Sequence, residues 1–445
     1  MNDYLGYYFY RYLFLLIVVY LTVFADSLAQ SVLTKYTQAK QSKTLRYEDF
    51  VYEGKIRTVL LYPYTGTIDQ QTYLPIMSLS QPTPFVLEFD ELGEEAGYYM
   101  AEIQHCNADW QPSAISPLEY LQDYNEFRLN DFEMSGIPKV HYVHFRWELP
   151  KVKLSGNYLL KVYREGDKTD LIITHRFIVF ESLVTVNAKQ NVVTGGEESQ
   201  RYQQIDVDIS YPSFRLIEPS TSVKTVIRQN GRWDNAKTML KPLYVDETRR
   251  LLDYKYFNLE NAFLGGNEFR MFDLRNFNSQ GYNVRITKLT QELNTVFLYA
   301  EIPREGRVYA GNEKDQNGKY YIALTDGTEA ATNADYAEVV FTLKRAEPFE
   351  NDVYFSGQFN RFALNNDNKM TYSAENQTYT GRYLLKQGFY NYYFTAANPK
   401  TGKRADDQIE NSYHVTENEY DVIVYYKEPG ARYERVIAYQ VVKNR

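Results

Sequence analysis

The chain has 445 residues, too many for one ordinary core, and its 43 tyrosines and 25 phenylalanines bring the aromatic share to 16%, which favours strands. Net charge is −8 and no Lys/Arg-rich run occurs, which argues against nucleic acid as a partner. The single cysteine, Cys106, leaves no intramolecular disulfide and no Cys/His metal spacing.

Residues 1–29 read as a secretory signal. Arg11 supplies the positive charge, Leu13 to Leu21 the apolar core, and Ser27-Leu28-Ala29 a small-x-small cleavage site before Gln30. The apolar run is short for a membrane span, so the expectation is an exported, periplasmic chain without direct membrane insertion, with an uncleaved anchor as the alternative.

Residues 30–182 are expected to form a first β-sandwich. Candidate strands are Ile56–Tyr62, Tyr73–Leu79, Phe85–Phe89, Tyr98–His105, Val140–Trp147, Asn157–Tyr163 and Leu171–Phe180, separated by turn signals such as Glu91-Leu92-Gly93 and Glu165-Gly166-Asp167. About seven short strands without a helical period indicate an immunoglobulin-like sandwich. Cys106 follows His105 in the fourth strand. Neighbouring strand residues point to opposite faces, so the two do not pair, and a small buried thiol is expected. The same argument separates His141 from His144.

After that strand comes His105-Cys106-Asn107-Ala108-Asp109-Trp110-Gln111-Pro112-Ser113, and then a loop to about Lys139 carrying Pro112, Pro117, Gly136 and Pro138. Loops of this length inside a compact domain are usually functional or disordered. One reading is a recognition loop. The other is a polar corner in which Asn107 and Asp109 turn the chain and Trp110 covers the core. From Glu88 to Glu133 there are twelve Asp or Glu and one Arg, either a solvated acidic face or an electrostatic docking surface.

Residues 183–345 read as a second, similar unit with strands from Val184–Ala188 to Ala337–Leu343. Within it, Glu268 and Arg270 share a strand face and are expected to pair, while Asp273 faces away. Asp315-Gln316-Asn317-Gly318 has the composition of a hairpin tip. Residues 346–445 read as a third unit. Val353 to Asn360 and Leu385 to Phe394 resemble the early-set glycogen-binding sandwich, but no Trp follows Trp233 to stack a sugar. The Tyr390, Tyr392, Phe394 alternation reads as core. The fold class is therefore all-β, with tandem immunoglobulin-like β-sandwich domains.

No GxSxG, HExxH, Walker A or GxGxxG pattern occurs, and carboxylate pairs such as Glu94-Glu95 are neighbours in turns, not opposed across a cleft. The reading is non-enzymatic, with no cofactor or metal.

The segment His105 to Ser113, with Glu119-Tyr120-Leu121, resembles the signature of the plug protein family of the type IX secretion system. Asn267-Glu268-Phe269-Arg270-Met271-Phe272-Asp273, and Asn333-Ala334-Asp335-Tyr336 leading into Val339-Val340-Phe341, are similar to the same family in order and spacing. The resemblance implies a periplasmic protein that binds the outer-membrane translocon barrel and closes its periplasmic end. On this reading Asn107, Asp109, Trp110, Tyr120 and Tyr124 are the candidate docking residues, because Trp and Tyr in an acidic field suit an interface. The rival is that Trp110 is a core plug. A carbohydrate-binding module of an exported sugar-handling system is the alternative function.

Overall fold

The alternation that predicts each strand also sets its faces. In Tyr99–Cys106, Tyr99, Ala101 and Ile103 are fully buried while Met100, Glu102 and Gln104 are only half-buried. The computed structural model describes Thr34 and residues 43–443 apart from 68, 308, 312 and 313. The signal and cleavage site expected over residues 1–29 lie outside the described residues. No described helix is long and apolar enough to cross a membrane.

The first sandwich has two facing sheets, and of the expected Tyr73–Leu79 strand only Ile76–Ser78 forms. One sheet has the order Phe50–Val51, Asp167–Phe180, Gly156–Arg164, Tyr99–Cys106, Phe127–Arg128, with Ile76–Ser78 added in parallel to Asp167–Phe180. The facing sheet runs Ile56–Pro63, Phe85–Leu92, Tyr142–Glu148, Phe132–Met134. Phe85, Phe89, Tyr99, Phe145 and Phe177 fill the space between them, with Phe89 stacked on Phe145.

The second sandwich is discontinuous in sequence. One of its sheets takes Thr185–Val192, Tyr202–Ser210, Leu251–Asp253 and Tyr244–Asp246, with Ala262–Leu264 on Tyr202–Ser210. The other pairs Lys237–Leu240 and Val223–Gln229 with Glu419–Tyr426 and Arg435–Lys443. The last two strands were expected in a separate unit spanning 346–445. They instead complete a sandwich begun at residue 185, because Val422, Val424 and Tyr426 find their apolar partners in Ile205, Val207 and Ile227.

The third sandwich occupies the chain between. Arg270–Asp273, Gly388–Ala397, Tyr320–Ile322, Asp352–Ser356 and Arg404–Ala405 form one sheet; Val284–Lys288, Asn294–Leu298, Tyr336–Lys344, Thr378–Lys386 and Thr371–Ser373 form the other. The expected boundary at 345/346 thus falls inside one body, just beyond a strand, Tyr336–Lys344, that pairs with Thr378–Lys386 along its whole length. Tyr390, Tyr392 and Phe394 lie in its core, as their alternation predicts. Asp315 to Gly318 do turn, but the Tyr320–Ile322 strand that follows pairs with Gly388–Ala397. The expected hairpin tip is therefore an ordinary loop turn.

Candidate functional site

Asn107 opens a tight turn off the end of the Tyr99–Cys106 strand. Its amide donates to the Gln111 carbonyl at 2.8 Å, and its carbonyl accepts from the Trp110 amide at 2.9 Å. Asp109, exposed at the tip, accepts the Gln111 amide at 3.0 Å. These bonds hold Trp110 left-handed at φ 63°, a strained conformation for a bulky residue. The effect is to swing the indole into the seam between the first and second sandwiches, where it is 5% exposed. There it meets Trp233 edge to face at 5.1 Å, with the Arg176 guanidinium 4.4 Å from its ring centre. Cys106, Ala108, Leu159 and Ile178 pack on the same side, against Val226, Ile423, Tyr425 and Val436 of the second sandwich. Polar bonds fix the seam: Ala108 N–H donates to Glu434 Oε2 at 2.6 Å, Glu434 N–H to Asn107 Oδ1 at 3.2 Å, and the Tyr425 hydroxyl to Asn157 Oδ1 at 2.9 Å.

Two candidate docking residues therefore need correction. Trp110 has no surface to offer an outside partner, because the second sandwich already covers it. Tyr120 ends a one-turn helix, Pro117–Tyr120, started by a Ser116/Glu119 capping box. It is 3% exposed, and its hydroxyl donates to the Ile103 carbonyl at 2.9 Å. Asn125 accepts the Ile103 amide at 2.9 Å and donates to the Ile103 carbonyl at 2.8 Å, so the long loop is stitched onto the strand edge. Asn107 is half-buried and consumed by the turn, which leaves Asp109 and Tyr124 as the exposed members of the set; Tyr124 is 75% exposed.

His105 and Cys106 diverge as predicted. His105 Nδ1 lies 2.8 Å from Ser113 Oγ, and burial pulls the imidazole down to about 4. Gly156 allows this ring to fit, since a Cβ there would collide with it. Burial pushes the Cys106 thiol up to about 12, which makes it inert.

The Asn333 to Phe341 segment lies at a second seam, between the first and third sandwiches. Asp90, fully buried on the outer face of the Phe85–Leu92 strand, receives Lys386 Nζ at 2.6 Å, the Tyr336 hydroxyl at 2.6 Å and His144 Nδ1 at 2.7 Å. Burial opposes its charge, but the Lys386 charge and the His144 contact outweigh that and hold the carboxyl below its ordinary range. Lys386 also lies 4.0 Å above the Tyr142 ring, and Val140 N–H donates to Asp335 Oδ1 at 3.2 Å.

The Asn267 to Asp273 segment lies at the crossing between the second and third sandwiches. Outgoing Gly265-Gly266 runs against the returning chain, and a Cβ on Gly265 would strike the Tyr413 carbonyl. Tyr413 N–H donates to Gly266 O at 2.9 Å, and Asn418 Nδ2 to Gly265 O at 2.8 Å. The expected Glu268–Arg270 pair does not form: Arg270 pairs with Glu410 at 2.9 Å and with Glu301 at 2.5 Å. Glu268 instead accepts the Tyr309 hydroxyl and the Glu417 amide. The partner, Glu410, sits on the returning segment, 140 residues away in sequence.

Asp90, Lys386, Arg176 and Trp233 escape sequence reasoning because each acts across a seam. A signal for them exists. In Glu419–Tyr426 the run Val422–Tyr426 is continuously apolar, the mark of a strand covered on both faces; Phe85–Leu92 is buried almost throughout but carries Glu88, Asp90 and Glu91, so its sequence hides that cover. Of the twelve carboxylates between Glu88 and Glu133, Asp90, Glu91, Glu102 and Glu119 are ion-paired, whereas Glu94, Glu95, Asp123, Asp131 and Glu133 are exposed. Among the described residues no three His, Cys, Asp or Glu side chains are grouped to hold a metal ion.

A family model described as the type 9 secretion system plug protein 1st domain matches residues 56–181, the span of the first sandwich. No curated protein matches. Among solved structures, a crystal structure of a hypothetical protein from Parabacteroides merdae is 30% identical, with a TM-score of 0.84, covering 90% of this chain and 100% of that one. The C-terminal domain of the Streptococcus pyogenes antigen I/II-family protein AspA covers 88% of this chain and 100% of that one at 8% identity, but its TM-score of 0.17 carries no argument. By its match to the plug model, the first sandwich places this chain with the type IX secretion system plug protein family.

Proposed function

We propose that the protein is a non-enzymatic periplasmic plug that binds the translocon barrel of the type IX system and covers its periplasmic mouth. One observation carries this reading: each of the three signature segments lies at a joint between sandwiches. His105 to Ser113 joins the first to the second, Asn267 to Asp273 the second to the third, and Asn333 to Phe341 the third to the first. Packed interfaces of this kind have few alternative arrangements, so three ordinary sandwiches become one stiff body. Stiffness is what an occluding body needs, because a wide aqueous barrel leaks around anything that flexes.

The docking surface we favour keeps Tyr124 from the original candidates and adds exposed neighbours in sequence. Leu118, Phe132, Met134 and Ile137 are each at least 45% exposed, and Asp123, Asp131 and Glu133 are exposed among them. Apolar and aromatic anchors with charged surroundings suit a protein interface. Affinity isolation of the tagged protein from detergent-solubilised envelopes tests the reading. A very large outer-membrane barrel protein co-purifies if it holds; recovery of the protein alone under conditions that keep the translocon intact overturns it.

A further inference from the structure

Where the three sandwiches meet they enclose a cavity of about 380 Å³, within the roughly 300–1,000 Å³ of small-molecule sites. The first sandwich contributes Trp110 and Arg176, the second Arg228 and Trp233, the third Asn317 and Arg361. Three features of its wall set it apart from a packing defect.

The first is charge. Arg228, Arg232 and Lys319 also line the cavity, but they are engaged by Asp421, Asp406 and Glu419. Arg176 gives its guanidinium hydrogen bonds to the Tyr47 carbonyl alone. Among the described residues neither Arg176 nor Arg361 has a carboxylate at ion-pair distance. The carboxylates of the wall are occupied elsewhere: Glu48 with Arg46, Asp49 with the Arg176 amide and His175, Asp234 with Arg232 and Arg404. Burial pulls the Arg176 guanidinium below its ordinary value, the response of a cation whose charge is under-compensated.

The second is unmet hydrogen bonding. Trp110 Nε1, Asn317 Oδ1 and Gln358 Oε1 are buried without a partner, and all three residues line the cavity. Native structures rarely leave such groups unpaired. The indole N–H is a donor, and rotating either amide about its terminal bond replaces the orphaned acceptor with a donor. The third is backbone strain. Asn317, Arg361 and Phe362 take φ of 55°, 58° and 53°, and left-handed non-glycine residues cluster at ligand clamps.

Two guanidinium groups without a carboxylate at ion-pair distance, three orphaned polar atoms and two indoles around one space suit an anion with a planar charged fork and an apolar body. We propose that this junction cavity binds an organic carboxylate, its anionic group held by Arg361 and its body seated against Trp110 and Trp233. The site is read on the purified chain, so it stands or falls independently of the translocon reading.

Two of the three tryptophans line the cavity, so intrinsic fluorescence reports occupancy. The purified chain is titrated with 4-nitrobenzoate and with its neutral isostere 4-nitrobenzamide, and in parallel with N-acetylphenylalanine and its amide, read by melting temperature. Saturable quenching by the acid is expected, with the amide weaker by about tenfold or more. Arg361→Asn, whose side chain tolerates the left-handed backbone, is expected to lose the same factor with an unchanged melting temperature in the absence of ligand. Arg361→Lys, which keeps charge without the fork, should fall between, and it carries the test if the Asn variant does not fold. Tighter binding of N-acetylphenylalanine assigns the site to a peptide chain end, and tighter binding of 4-nitrobenzoate assigns it to a free aromatic acid. Unsaturable quenching, equal affinity for acid and amide, or no effect of either Arg361 variant shows that the cavity holds only water and overturns the proposal.

Discussion

The first sandwich is held to its neighbours by two joints of opposite character. Against the third sandwich it presents charge: Asp90 buried under Lys386, Tyr336 and His144. Against the second it presents rings and a thiol: Trp110 on Trp233, with Cys106, Leu159 and Ile423 around them. A buried ion pair is a poor source of net stability but a strong specifier, because misplacing either partner leaves a bare charge. An aromatic seam stabilises by area and tolerates small shifts. One joint therefore sets the registration of the body, and the other supplies adhesion.

Removing the cation tests the ionic joint most harshly. Lys386→Met leaves Asp90 fully buried without its main counter-charge and should cost about 5 kcal/mol, read as a shift in the urea midpoint. Adding Asp90→Asn to Lys386→Met should recover most of that loss. If the single variant costs under about 1 kcal/mol, the network does not register the joint. Truncating the aromatic joint comes next. Trp110→Ala should cost about 4 kcal/mol, the range for deleting a buried large aromatic. An unfolding midpoint that stays at the wild-type value would mean that the indole is not packed in the seam.

Acid should separate the two joints. His105, whose ring packs on Tyr158 and Tyr433, has a folded pKa of about 4, below the unfolded value of about 6.5. The unfolded chain takes up the proton first, so stability is full above about pH 6.5. It is lost as pH falls towards 4, by roughly 3 kcal/mol in all. Asp90 loses its contribution in the same direction but at lower pH. Its folded pKa is depressed, so its contribution is present above the unfolded value of about 3.9 and is lost only as pH falls through the folded one. Between pH 6.5 and 4 the aromatic side weakens while the ionic side holds. Denaturation at pH 7.5, 5.5 and 4.5 checks this. His105→Gln should flatten the slope in that window, and an unchanged slope contradicts the assignment.

The smallest effects belong to the exposed residues. Tyr124→Ala should move stability by less than about 0.5 kcal/mol, and Asp109→Ala, which loses one turn bond, by less than about 1 kcal/mol. If the loop docks, Tyr124→Ala weakens translocon capture; normal capture removes Tyr124 from the interface.

What could be read from the sequence was local. Period-two alternation located nearly every long strand of the first sandwich, because side-chain direction along a strand depends on no distant residue. The pairing of Glu419–Tyr426 with Val223–Gln229 was not legible, since nothing near residue 420 records a partner about two hundred positions earlier. The same holds for the 345/346 boundary, across which Tyr336–Lys344 pairs with Thr378–Lys386. Trp110 was ambiguous for a similar reason. Its neighbours Asn107 and Asp109 announce a turn, but whether the indole then meets solvent or Trp233 depends on a chain segment more than a hundred residues on. Glu268 and Arg270 were read as sharing a strand face, but the strand begins only at Arg270, and Arg270 turns to Glu410, at the end of the short Asp407–Glu410 helix of the returning chain.

The central claim is that the signature segments lock three sandwiches into one rigid body. Paired spin labels test it most directly, because Cys106 is fully buried with its thiol raised to about 12 and does not compete for the label. Tyr124→Cys in the first sandwich, Phe257→Cys in the second and Leu289→Cys in the third place labels at exposed positions. The account predicts a single narrow distance distribution, at neutral pH, for each of the three pairs. A broad or multi-peaked distribution for any pair would contradict it.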